Sequence, residues 1–185
     1  MRTVSFTRMA DGTKEDYELL SQLEEEFIET LPERLQQALD DLQHSLSGYQ
    51  VSRYEHSLQS ASRAYRDGKS EEYVVAALLH DIGDSLAPYT HGEMVAAILK
   101  PYVNEEICWV IKYHGLFQMY YYAHYHGLDR NGRDHYRDHP YYQACVEFCE
   151  KYDQNCFDPH YDSLPAAFFE PMVRRVFAEP RYLGV

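Results

Sequence analysis

YVVAALLHDIGD, Tyr73 to Asp84, runs through seven mostly apolar residues and then, with no turn or linker, sets a histidine directly beside an aspartate. The apolar run reads as a helix built for burial. A buried helix end must satisfy its last carbonyls, and a His-Asp pair there must be hydrogen-bonded or metal-bound to offset its desolvation. His80 and Asp81 therefore decide what kind of helical protein this is. Alone, such a dipeptide is most often a polar helix end, so the rest of the chain has to supply the context.

Working outward, apolar positions recur at helical spacing almost everywhere, from Tyr17, Leu20, Leu23 and Phe27 through Leu35, Ala38, Leu39, Leu42 and Leu46. Residues 1–46 read as acidic, amphipathic helices packed on or beside the body, with Pro32 in a first turn. Ser45 to Ser52 is a loop in which Gly48 can take a left-handed conformation. A helix follows to about Arg66, then a DGKSEE turn in which Ser70 caps the central helix. Further helices are expected at about Thr90 to Leu99, Asn104 to His114, Leu116 to Tyr125, Tyr141 to Tyr152 and Pro171 to Ala178. Gly115 is expected to break one of them, and Gly127 to Pro140 is polar enough for a long loop or lid. No alternating strand pattern is present. The expected fold is a single all-α domain over residues 1–185.

Composition narrows the function. The chain has 185 residues, 45% hydrophobic, with 17 Lys and Arg against 30 Asp and Glu, a net charge of -13. Such a surface gives a nucleic-acid backbone nothing to bind. No apolar run approaches the roughly 20 residues that span a bilayer, and the N-terminus lacks a signal-peptide core, so a cytoplasmic protein with no membrane partner is expected. Cys108, Cys145, Cys149 and Cys156 form no CxxC pair and read as buried thiols. The 18 tyrosines and 10 histidines exceed what a fold needs.

The histidines show an order. His56 lies on the helix before His80, His91 opens the helix after it, His114 follows in WVIKYHG, and Asp153 ends a later helix. Neighbouring helices thus each bring a nitrogen or oxygen ligand towards one level, as in bundles that build metal sites from facing helices. Four imidazoles and two carboxylates are too many for one catalytic zinc. Two ions fit the count, with Asp81 bridging, His56, His80 and Asp153 on one ion, and His91 and His114 on the other. Donors without thiolate suit iron, manganese or cobalt.

This set, His56, His80-Asp81, His91, His114 and Asp153, resembles the HD-domain superfamily. Within it the chain is similar to the mixed-valent diiron oxygenase branch, the myo-inositol oxygenase-like branch that includes phosphonate-cleaving oxygenases. The segments SRYEHSLQSASRAYRDG, VVAALLHDIGDSLAP and KYHGLFQ look most like oxygenases acting on 1-hydroxy-2-(trimethylammonio)ethylphosphonate and on 2-amino-1-hydroxyethylphosphonate. The resemblance implies a compact helical bundle of the HD-domain type with the metal site at its centre. It implies an Fe(II)/Fe(III) pair with a bridging hydroxide or oxo group, O2 as cosubstrate, and cleavage of a carbon–phosphorus bond to release phosphate and glycine betaine. The partner would be a small-molecule phosphonate.

Where the amino-phosphonate enzymes carry a histidine and a lysine that grip phosphonate, this chain has Asp84 and Gln118. Asp84 could serve as countercharge to a trimethylammonium group. Tyr49 is the nearest candidate for a lid tyrosine. If the helix continues past His114, then Phe117, Gln118, Tyr121 and Tyr125 share a face, and aromatic faces attract a quaternary ammonium. Packing into the core would give the same stripe. Lys112, Arg130, Arg133 and Arg137 could recruit phosphonate from the polar loop or stay solvated. The alternative activity is a metal-dependent phosphohydrolase acting on a small phosphate ester, which the same cluster can support.

Overall fold

The computed structural model describes residues 2–182. Among these residues all regular structure is helical: α1 (Lys14–Glu29), α2 (Leu31–Asp41), α3 (Arg53–Arg66), α4 (Glu71–Leu79), α5 (His91–Leu99), α6 (Glu105–Tyr122), α7 (Tyr142–Phe148) and α8 (Ala166–Val176), with short 3-10 turns between them.

The opening stretch forms α4, and every residue from Val74 to Leu79 is buried. A helix apolar all round belongs at the centre of a bundle, and α4 packs against α3, α6 and α8. Ser70 caps it by accepting from the Tyr73 amide at 3.3 Å. On α3, Ser52 and Glu55 close a capping box, the Glu55 amide donating to Ser52 Oγ at 3.1 Å and the Ser52 amide to Glu55 Oε2 at 2.7 Å. This fixes the start of α3 four residues before His56. In the preceding loop Gly48 has φ +116°, a conformation glycine supplies at little cost.

The N-terminal helices differ from each other. α2 packs on α3 and α8 and buries Leu35 and Leu39. α1 meets α2, and Leu19 is half-buried, but Tyr17, Leu20, Leu23, Phe27 and Ile28 are exposed, Phe27 at 61% and Ile28 at 52%.

Four expectations for the helices change. α6 runs unbroken through Gly115, because Ile111, His114 and Phe117 bury the helix on either side and outweigh a glycine's cost of about 1 kcal/mol. Pro171 lies inside α8, which begins at Ala166 after Pro165; Phe169, Val173 and Val176 bury one face and hold the helix across the missing amide. The Tyr141–Tyr152 helix is α7 followed by a π-helical turn, Cys149–Asp153, closed by the Gln154 amide on the Cys149 carbonyl at 2.9 Å. The polar segment 127–140 packs onto α6: His139 stacks on Trp109 at 4.2 Å, Tyr136 meets Tyr113, and Arg130 and Arg133 lie over the Tyr120 ring. These arginines are therefore half-buried, and the segment covers a different row of α6 from the one bearing His114 and Gln118.

The thiols settle how α7 meets α6. Cys145 and Cys149, one turn apart, donate to the Val110 and His114 carbonyls at 3.6 and 3.4 Å, so two small side chains let the helices approach closely. Cys145, Cys149 and Cys156 are buried and free, and Cys108 is half-buried.

Candidate metal centre

The six residues singled out by the sequence meet between α3, α4, α5, α6 and the π turn. His56 sits in the first turns of α3, His80 caps the C-terminus of α4, Asp81 follows it, and His91 opens α5. His114 comes from the middle of α6, not from an end, because the helix continues past Gly115. Asp153 ends the π turn. His56, His80, Asp81, His114 and Asp153 are buried, with relative exposures of 0–2%. His91 is the most open, its side chain 21% exposed.

Asp81 divides the cluster. Its Oδ2 lies 3.6 Å from His56 Nε2 and 3.4 Å from His80 Nε2, while its Oδ1 lies 3.6 Å from His91 Nε2 and 3.4 Å from His114 Nε2. Asp153 Oδ1 adds to the first set at 3.4 Å from His56 Nε2. The grouping is one carboxylate shared between two histidine pairs.

The donor set fits metal ions on two observations. First, His56, His80 and His114 place Nδ1 at 3.0, 2.8 and 2.6 Å from the carbonyls of Cys156, Ala77 and Ile111. An imidazole that donates through Nδ1 carries its lone pair on Nε2. Yet His56 and His80 bring their Nε2 atoms to 3.1 Å, and His91 and His114 do the same at 3.1 Å. Where both rings of a pair donate through Nδ1, as His56 and His80 do, two lone pairs converge at that distance and a cation between them relieves the repulsion. Second, Asp153 Oδ2 is buried with no hydrogen-bond partner, an arrangement a buried carboxylate oxygen tolerates when it ligates.

The electrostatics agree. Burial pushes the His80 imidazole down to about 4, against the pull of Asp81, so it is a neutral ligand near pH 7. Burial works against the charge of Asp81, but His80, the hydrogen bond to His114 and Arg53 together hold it well below the usual carboxylate range. Burial likewise opposes charge on His114, and the Asp81 hydrogen bond overcomes it and raises its pKa.

The four expected substrate contacts are placed differently from one another. Tyr49, 51% exposed, stacks on Phe157 at 4.8 Å, and Phe157 stacks on His56 at 4.4 Å. Gln118 donates to Asp153 Oδ1 at 2.5 Å. Asp84 lies 3.2 Å from both Arg53 Nε and His91 Nδ1; burial and the neighbouring Asp81 raise its pKa. Tyr121 is half-buried against the core and edge-on to Tyr120. Of the rest of the stripe, Phe117 is in the core and Tyr125 is 81% exposed.

Three residues at or near the centre escaped the sequence reading. Arg53 puts Nη1 2.8 Å from Asp81 Oδ2, with Nε near Asp84; it precedes His56 by three on one helix, a spacing that places both on the same face. Tyr122, 43% exposed, has its hydroxyl pKa raised by burial and by the nearby charges of Tyr49 and Asp153. It continues the row His114, Gln118, Tyr122 at steps of four, adjacent to the row read from the sequence. Phe157 comes from an irregular segment and had no sequence signal.

Fold and cluster together define an all-helical metal-binding domain with ligands for two ions. Residues 53–146 match the HD domain model, and the chain belongs to the HD-domain family. The match spans five of the six ligand candidates, and Asp153 lies beyond it. A search of curated proteins finds no match. The protein is an HD-domain metalloenzyme whose buried His/Asp cluster suits a binuclear site.

Proposed function

We propose that this chain is a diiron oxygenase that uses O2 to cleave the carbon–phosphorus bond of a 1-hydroxy-2-(trimethylammonio)ethylphosphonate-like substrate, releasing phosphate and glycine betaine. The observation that carries the reading is the division of Asp81 between two complete histidine pairs, which supplies a second ion with ligands of its own. Iron held there, by His56, His80, Asp81 and Asp153 on one side and Asp81, His91 and His114 on the other, supplies Lewis acidity and redox capacity. The second set has fewer protein donors, which leaves room for substrate and O2.

The chain's own residues bind and orient. Arg53 is the cationic side chain in contact with the cluster, and its guanidinium has N–H donors beyond those spent on Asp81 and Asp84, so it is our candidate for the phosphonate oxygens. A trimethylammonium group donates no hydrogen bonds and is held by aromatic faces, each worth roughly 0.5–2 kcal/mol. The aromatic candidates are Tyr49, whose ring lies 5.3 Å from the Arg53 guanidinium, and Tyr122, which follows His114 and Gln118 along α6, with Tyr121 one position off that row. Gln118 steadies Asp153. Conversion of the substrate to phosphate and glycine betaine takes up both atoms of O2 and needs no outside reductant. The net charge of -13 keeps nucleic acid out of the partner list. No helix among the described residues is long and apolar enough to cross a membrane.

The test is phosphate release and O2 uptake by iron-loaded protein given the trimethylated and the free-amine hydroxyphosphonate. The oxygenase reading expects activity in air and none under argon. Phosphate-ester hydrolysis under argon with manganese or cobalt would establish the phosphohydrolase instead.

A further inference from the structure

Three of the four histidines at the centre lean on the backbone, and one does not. His56, His80 and His114 direct Nδ1 at carbonyls of Cys156, Ala77 and Ile111. His91 alone has a carboxylate beside Nδ1, with Asp84 Oδ1 at an ion-pair distance of 3.2 Å. It is also the ligand with least packing around it, 21% exposed where the others are 0–3%, so its ring needs an orienting partner more than theirs do. Asp84 lies in the turn between α4 and α5, its amide bonded to the Asp81 carbonyl at 2.9 Å. Its other oxygen lies within ion-pair distance of Arg53 Nε, at 3.2 Å, and Arg53 Nη1 donates to Asp81 Oδ2 at 2.8 Å.

We propose that Asp84 is a positioning residue for the second ion: it fixes the tautomer and direction of His91, and Arg53 ties it to the shared carboxylate Asp81. A carboxylate on Nδ1 keeps the proton there, leaves the Nε2 lone pair aimed at the cluster and raises the basicity of the ligand. Arg53 spans Asp81 and Asp84, so one side chain braces the shared ligand and the support of the least enclosed one. On this assignment the charge of Asp84 is spent on His91 and Arg53 and is not a countercharge for substrate. The inference rests on the two-ion centre and not on oxygenase chemistry.

The experiment strips the protein with chelator and titrates manganese under argon, following stoichiometry by calorimetry and by metal analysis. Wild type binds two ions. Asp84→Ala is expected to weaken the second ion about ten- to a hundredfold while the first stays within about twofold. Asp84→Asn, which keeps the size and an acceptor oxygen but loses the charge, falls between them and guards against a folding defect. In the metal-free protein, 15N spectra of the imidazoles should show His91 as one Nδ1–H tautomer in wild type and as a mixture in Asp84→Ala. Equal weakening of both ions, no weakening of either, or an unchanged His91 tautomer overturns the role of Asp84. A wild-type chain that binds one ion overturns the two-ion centre itself. Loss of phosphonate turnover with both ions bound would count against the oxygenase reading alone.

Discussion

At Gly92, next to His91 in the first turn of α5, the backbone of α5 comes close to that of α6. A β-carbon there would lie 2.8 Å from the Ile111 carbonyl oxygen, 2.9 Å from that of Lys112, and 3.4 Å from His114 Cε1. Carbon–oxygen contacts relax at about 3.3 Å, so Gly92→Ala must part the helices by about 0.5 Å. The obstructing atoms are helical backbone and cannot swing aside. Alanine gains up to about 1 kcal/mol of helix propensity over glycine, while overpacking costs about 1–3 kcal/mol. With the full propensity gain the balance is a loss of up to about 2 kcal/mol. The same displacement acts on the 3.1 Å approach of His91 to His114, and a site loosened by about 0.5 Å no longer holds its productive geometry. Urea unfolding should therefore show a lower midpoint, and metal analysis after iron or manganese loading should fall from two ions towards one, with the His56, His80 and Asp153 set still filled. A variant that gains stability and keeps two ions would refute the claim that the α5–α6 approach builds the second half of the centre.

Two further perturbations test the core and the ionisation of the centre. Phe117→Ala removes a fully buried ring packed against Trp109 and Tyr142 and should cost about 3–5 kcal/mol by urea melts, whereas Phe27→Ala, at a side chain 61% exposed, should stay within about 0.5 kcal/mol. After chelation, stability should fall as pH drops from about 6.5 to about 4. Burial lowers His80 to about 4 in the folded chain, so in that window the unfolded chain binds the extra proton, a loss of about 3 kcal/mol over the window. His114, raised in the folded state, acts above pH 6.5 and with opposite sign, Asp81 acts only below the usual carboxylate range, and Asp84, raised in the folded state, offsets part of the loss at the acid end of the window. A flat urea midpoint between pH 6.5 and 4.5 would contradict the assignment.

Much of the centre was legible because ligands must come from particular residue types, and helices set their order along the chain. His56, His80, Asp81, His91, His114 and Asp153 could be listed without coordinates, since few structural reasons place imidazoles on so many successive elements. The register within each helix was less legible. Gly115 reads as a breaker by local propensity, yet burial on both sides of it carries α6 through, and this moves His114 from a helix end to a helix middle. The continuous helix also aligns Tyr122 with His114 and Gln118, a position that the row of Phe117, Gln118, Tyr121 and Tyr125 leaves out. The π turn at Cys149–Asp153 was invisible for a different reason. One residue of extra winding leaves no mark in hydrophobic periodicity, although it sets where the carboxylate of Asp153 points, and such turns recur at functional sites.

The supporting shell was the least legible part, and it is where the chemistry of this chain is decided. Arg53 gives no motif by itself, and its meaning appears only when Asp81 and Asp84 are brought to it from another helix. An acidic protein that receives an anion needs such a group. Remote surface carboxylates are screened within about 8 Å at physiological salt, whereas a half-buried guanidinium and the ions beside it are not. The net charge of -13 therefore says little about what the centre binds. On the proposed reading, with Asp84 committed to His91 and Arg53, the cationic end of a zwitterionic substrate is left to aromatic side chains; Tyr49 already carries Phe157 at 4.8 Å and Arg53 at 5.3 Å on its ring, which leaves Tyr122 as the candidate. Aromatic faces favour a methylated ammonium, which has no N–H to satisfy, over a free amine, which would lose its hydrogen bonds to water on entry. On the proposed oxygenase reading, the trimethylated phosphonate is expected to be the better substrate of the two.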